Sequence, residues 1–113
     1  MATFRDELAD IDRLIHEPAR LAILTALSAC KSADFTFLQR LTGLTPGNLS
    51  SHLVRLEEAG LIWSNKQIIG RRPHTDVGLT QQGITAIDHH WQQLDNLRQR
   101  ARLVNLDHPE EEL

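Results

Sequence analysis

The chain has 113 residues, 41% apolar and 24% charged, with a formal net charge of −3; this is the composition of one globular domain and not of a disordered chain. No apolar run approaches the roughly 20 residues that cross a bilayer, and residues 1–10 carry charge where a secretion signal has an apolar core. Cys30 is the single cysteine, which excludes an intrachain disulfide and a multi-cysteine metal site; a cytoplasmic location is expected.

Phe4, Leu8, Ile11, Leu14 and Ile15 fall on one face of a predicted first helix, over about residues 3–15, with Thr3 and Asp6 as its capping box. His16-Glu17-Pro18 interrupts it, because the residue before a proline is pushed out of helical geometry. Pro18 then opens a nearly all-apolar second helix to about Ala29, central in the predicted core. Lys31 to Asp34 reads as a polar connection, and Thr36 as the cap of a short third helix containing Phe37, Leu38 and Leu41. Gly43 supplies the left-handed geometry of a turn. Thr45 and Pro46 start a fourth helix that runs to Ala59 and stops at Gly60. Two short helices joined by a glycine-containing turn form a helix-turn-helix.

Leu61-Ile62-Trp63 begins a strand, Ile68 to Pro73 has the residues of a hairpin tip, and Thr75, Val77 and Leu79 alternate on the returning strand. Thr80 caps the last helix. There Ile84, Ile87, Trp91, Leu94, Leu97, Ala101 and Val104 step by 3, 4, 3, 3, 4 and 3, a near-heptad seam. Over residues 81–104 it is roughly 36 Å long, too long for so small a core to cover, so the stripe predicts a partner. Residues 105–113 read as an acidic solvated tail.

Charge is unevenly spread. Residues 36–75 hold five basic side chains against two acidic, residues 1–35 four against six, and residues 76–113 three against seven. A basic middle between acidic flanks suits a polyanion. At about 100° per residue, Leu49, Leu53 and Leu56 turn the fourth helix inward. Gly47, Ser51, Val54, Arg55 and Glu58 then face out, with Asn48 and Ser50 to the sides, so that the face is small, polar and uncharged near its start until Arg55. An ordinary solvated helix carries Lys and Glu on such a face. Small polar residues instead let a helix approach base edges, where Ser and Asn donate or accept hydrogen bonds. His52 lies at the edge, readable as a phosphate contact or as a packing histidine. Arg71 and Arg72 at the hairpin tip, flanked by Lys66 and His74, suit a narrow minor groove or its phosphates.

These segments resemble winged-helix transcriptional regulators, close to the ArsR and MarR groups. The resemblance rests on Pro18 to Leu24, Leu41 to Leu53, Leu56 to Ile62, Gly70 to Pro73 and Leu79 to Gly83, in order over about residues 15–90. It implies a mainly α fold with a small β-hairpin: a winged helix-turn-helix with long terminal dimerisation helices. As one domain over residues 1–113, it divides into an N-terminal dimerisation helix (1–15), a reading core (16–79), a C-terminal dimerisation helix (80–104) and the tail. The resemblance further implies a homodimer on a pseudo-palindromic double-stranded DNA operator, many relatives being repressors. Thr45, Gly47, Asn48, Ser50, Ser51, His52 and Arg55 are the expected reading-helix contacts, and Lys66, Arg71, Arg72 and His74 those of the wing. The expected dimer contacts are Phe4, Leu8 and Ile11 with Ile87, Trp91, Leu94, Leu97 and Ala101.

Other readings are weaker on the residues. No nucleophile triad, phosphate-cradling glycine loop or paired carboxylate stands out, so no catalytic site and no cofactor are expected. Metal-sensing relatives use a Cys-x-Cys before the reading helix, where this chain has Asp34 to Phe37, or an Asp-x-His on the last helix with a later His and carboxylate. Asp88 and His90 match half of the second pattern, but His108 and Glu111 depart from its spacing, and no metal site is assigned. Cys30 beside Lys31 reads either as a thiol switch or as a small buried residue. A protein-binding winged helix remains the alternative, though it has no need of Arg55, Arg71 and Arg72 on one side. A small-molecule effector, unidentified, would bind between the terminal helices and the core.

Overall fold

The computed structural model describes residues 3–107, with side chains through residue 104. Helix α1 (Phe4–Ala9) begins at the expected capping box: the Thr3 hydroxyl accepts from the Asp6 amide, and the Asp6 carboxylate accepts from the Thr3 amide. The apolar spacing predicts this helix to reach residue 15, but it ends at Asp10, and tight turns lead to Glu17. Asp12 accounts for the break: its Oδ1 accepts from the Leu14 amide at 2.9 Å, a local bond that competes with the helical ladder. Ile15 belongs to the core, and Ile11, 6% exposed, is covered by the chain itself along the cleft between α1 and α5. Ile11 therefore offers little surface to a second copy.

Helix α2 (Pro18–Ser28) has Pro18 in its first turn and Glu17 as its cap, the Glu17 carboxylate accepting from the Arg20 amide at 2.9 Å. Strand β1 (Ala33–Asp34) occupies part of the connection read as polar. Helix α3 (Phe35–Thr42) is capped by Asp34, whose Oδ1 accepts from the Phe37 amide at 2.7 Å, and not by Thr36. Gly43, at φ 72°, ends α3 in the left-handed region as expected. Helix α4 (Pro46–Glu58) follows directly, and Gly60 (φ 78°) turns the chain into the hairpin.

Strands β2 (Ile62–Ile69) and β3 (Arg72–Leu79) pair antiparallel from Ile62↔Leu79 to Ile69↔Arg72, and β1 adds to the other edge of β3. Ile23, Leu24 and Leu27 of α2 meet Leu38, Leu49, Leu56 and Val77 in one core. Helix α5 (Gln81–Asp107) extends the predicted helix by three residues, and the acidic tail beyond it lies outside the described residues. Thr80 caps α5 through the Gly83 amide at 3.0 Å.

Helix α5 packs on α2 and β3. Ile87 is 1% exposed and belongs to the chain's own core, so it leaves the set of expected dimer contacts. Past His90 no described side chain is buried. With 27 residues, α5 is roughly 40 Å long, and it accounts for the 65 Å long axis of a molecule only 25 and 21 Å across. Helix α1 leans on its outer half, where the Arg100 guanidinium lies 5.1 Å over the Phe4 ring and pairs with Glu7.

Candidate nucleic-acid interface

Helix α4 is held from inside by Leu49, Leu53 and Leu56, all buried. The Thr45 hydroxyl accepts from the Asn48 amide at 3.2 Å and fixes its first turn. Thr45, Gly47, Asn48, Ser50, Ser51 and Arg55 are all exposed, as the helical period requires. Val54 lies among them, half exposed, and offers a methyl surface beside the polar groups.

His52 is different. It is half-buried, its Nδ1 lies 3.2 Å from Arg20 Nη1, and Glu17 Oε2 stands 3.8 Å away. A guanidinium has only donors, so Nδ1 accepts, and the neutral ring carries its proton on Nε2. Arg20 itself is buried and donates from Nε to the Leu14 carbonyl at 2.6 Å. The Arg20 amide, bonded to Glu17, holds that carboxyl below the usual carboxylate range against the opposing effect of burial, with the Ala19 amide and the Arg20 charge adding to the lowering. His52 is thus engaged within the chain through Nδ1. Arg20 shares a helical face with Ile23, Leu24 and Leu27, and that spacing was the signal that it is buried and must have partners.

The wing is the β2–β3 hairpin. Its turn is Gly70-Arg71, with φ of 57° and 69°, the two positive values of the tight turn that matches strand twist. Glycine fills such a position freely, whereas a long side chain there is strained. Lys66, Arg71 and Arg72 are exposed. His74 is half-buried, with Nε2 3.0 Å from Asp76 Oδ1, and is turned along its own strand. From Asn65 to Thr75 there is no acidic residue.

The partial metal pattern of α5 does not assemble. His90 points inward, 1% exposed, with Nε2 3.3 Å from His16 Nδ1, while Asp88 is exposed. Among the described residues no three His, Cys, Asp or Glu side chains come together, and His108 and Glu111 lie outside them. Cys30 is exposed rather than buried, its Sγ 3.5 Å from the Ala26 carbonyl. No described helix is long and apolar enough to cross a membrane.

A capped helix with an uncovered small polar face, followed by one hairpin with a basic tip, is the arrangement of a winged helix. The family model of the winged helix DNA-binding domain matches residues 19–98. The chain belongs to this family.

This winged helix is 31% identical over 78 residues to an uncharacterized protein of Methanocaldococcus jannaschii, a match spanning 69% of this chain and 85% of that one. A solved transcriptional regulator homologue of Pyrococcus horikoshii OT3 is 33% identical, with a TM-score of 0.78 over 85% of this chain and 97% of its own. The repressor CouR, solved on a 23-mer DNA duplex, is 25% identical, with a TM-score of 0.68 over 91% of this chain and 71% of its own. Solved regulators of the ArsR and MarR families share the fold at lower identity. The neighbours of this winged helix are transcriptional regulators and not enzymes.

Proposed function

We propose that the protein binds double-stranded DNA sequence-specifically as a homodimer and represses transcription. One observation carries the reading. The outer face of α4, with Gly47, Asn48, Ser51 and Arg55, is left uncovered by α5, which packs instead on α2 and β3. In this reading Asn48, Ser51 and Arg55 discriminate bases, with Thr45 and Ser50 beside them, while Lys66, Arg71 and Arg72 supply salt-dependent affinity from the wing. His52 keeps Nε2–H for a phosphate, and His74 is a minor contact because Asp76 occupies it.

Dimerisation is assigned to the outer half of α5 with α1, around a reading core of residues 16–79. Trp91 and Leu8 are 44% and 47% exposed, Leu94, Leu97 and Ala101 are half-buried, and Phe4 sits under Arg100. These residues continue as one stripe past the part of α5 that the core covers, and an uncovered stripe of this kind favours a second copy. The cleft of about 460 Å³ between α1 and α5, lined by Glu7, Ile11, Leu97 and Arg100 among others, is the place for an effector. A protein working on DNA in this way belongs in the cytoplasm.

Selection of bound sequences from a random duplex pool tests DNA binding and half-site spacing together. The expected product is a pseudo-palindrome with half-site centres roughly 34 Å apart. Recovery of unselected sequence, or of a single half-site without a repeat, overturns the reading.

A further inference from the structure

Ile68 is 80% exposed, more than any other large apolar side chain that stands out on the described surface. The strand register explains why nothing covers it. Ile62, Ser64, Lys66 and Ile68 alternate onto one face of the hairpin, opposite Leu79, Val77, Thr75 and Pro73. At the body end this face is core, with Ile62 and Val77 buried. Toward the tip the same face ends in Ile68, beside its exposed register partner Pro73, which borders the start of α3 at Asp34 to Thr36. Strand propensity accounts for a branched side chain there, but threonine is equally branched and is solvated without cost. The apolar character needs a different reason.

The surroundings indicate the occupant. Lys66 stands two residues before Ile68 on the same face, Arg71 follows at the turn, and Arg72, paired with Ile69, projects from the opposite face of the same tip. Arg71 keeps its side chain in a backbone conformation that glycine would adopt freely. An apolar point with Lys66 on its own face, Arg71 at the turn and Arg72 on the opposite face, and no acidic residue from Asn65 to Thr75, fits a surface that is polyanionic at its rim and apolar within. The minor groove of duplex DNA has that character: phosphates line its edges, and deoxyribose and base edges form its floor.

We propose that Ile68, with Pro73, is an apolar wedge that enters the minor groove between phosphates held by Lys66, Arg71 and Arg72. This rests on the duplex-binding reading above. The wedge contacts sugars and base edges, opens the groove and bends the duplex. It thereby adds a preference for easily deformed pyrimidine–purine steps at a position that α4 does not touch.

The test uses the full chain and the duplex recovered by pool selection. Affinity is measured from 50 to 200 mM salt for the wild type, Ile68→Thr, Ile68→Leu and the double variant Arg71→Ala/Arg72→Ala, with bending followed by circular-permutation gel shift. Ile68→Thr is expected to bind roughly tenfold more weakly, with a smaller bend, an unchanged melting temperature and an unchanged slope of log affinity against log salt. Ile68→Leu should stay within about twofold, since the volume and apolarity remain. The arginine variant should instead flatten the salt slope by about 1–2. Wild-type affinity in Ile68→Thr, or a loss equalled by a flatter salt slope, overturns the wedge and leaves duplex binding intact. A wild-type chain that binds no duplex overturns both.

Discussion

His16 Nδ1 lies 3.3 Å from His90 Nε2, joining the turns after α1 to the middle of α5. His90 Nδ1 is buried and has no partner. The arrangement that costs least puts the His90 proton on Nε2, donating to His16, and leaves only a lone pair unmatched at Nδ1. Burial pushes the His90 pKa below the ordinary histidine value, the His16 and His89 charges push the same way, and Asp12 opposes them. Trp91 closes the site, edge-on at 5.6 Å.

Stability should therefore depend on pH. The folded chain holds His90 neutral at a pH where the unfolded chain already binds its proton. The stability this leaves is full above the ordinary histidine value of 6.5 and is lost as pH falls below it. Urea unfolding from pH 7.5 to 5 should show a steeper loss in the wild type than in His90→Met. Superimposable pH profiles would rule out His90 as the source.

Arg20 ties three elements together, donating to the Leu14 carbonyl and His52 while its amide bonds Glu17. Arg20→Met keeps the apolar stem but strands a carbonyl and a histidine nitrogen in a dry place. The expected loss is about 2–3 kcal/mol, read by urea unfolding, with α4 less firmly seated. A change below about 0.5 kcal/mol, the range of ordinary surface substitutions, would mean that water replaces the guanidinium there.

Arg71 separates folding from function. Asparagine tolerates the left-handed region better than arginine, so Arg71→Asn should leave stability within about 0.5 kcal/mol of the wild type or above it. Duplex affinity should fall nonetheless, and the salt slope should lose about one phosphate contact, roughly 0.9. Undiminished affinity would show that the strained position serves the hairpin and not DNA.

Leu94 is half-buried on the outer half of α5, in the stripe assigned to a second copy. Leu94→Glu places a charge there and should shift sedimentation from dimer to monomer, with little effect on the core that ends near His90. An unchanged dimer would move the interface to another face.

Most of the geometry of the candidate surface was legible because short-range chemistry dictates it. Thr45, Pro46 and Gly60 bound α4 by capping and turn geometry, Leu49, Leu53 and Leu56 set its rotation, and Gly70 marked the hairpin. What escaped was tertiary. Strand β1 has two residues, too few for any periodicity, and exists because β3 offers an open edge. The spacing of Ile11 and Ile15 fits a helix face and also fits two separate turns, one burying its isoleucine against α5 and the other in the core; Asp12 decides between them through a bond to Leu14. Burial of Ile87 and exposure of Trp91 divide a seam that is continuous in sequence, because the division depends on where α2 and β3 stop. His74 looked free because Asp76 engages it along its own strand, and the two readings of His52 stayed open because Arg20 reaches it from across the fold.

The meeting of α4, the wing and α5 has a mechanical consequence. The Leu61 amide bonds the Leu56 carbonyl at 3.0 Å, the Leu61 carbonyl accepts from Thr80, and Thr80 Oγ1 reaches the Gly60 carbonyl at 2.6 Å. A Cβ on Gly83 would fall on the Leu61 carbonyl, so α5 is seated directly on backbone. No linker lies between α5, the helix proposed to join two copies, and α4, the helix proposed to read. A pair built on this joint would work as a fixed-jaw caliper: one base pair inserted between half-sites should be refused and not absorbed by flexing.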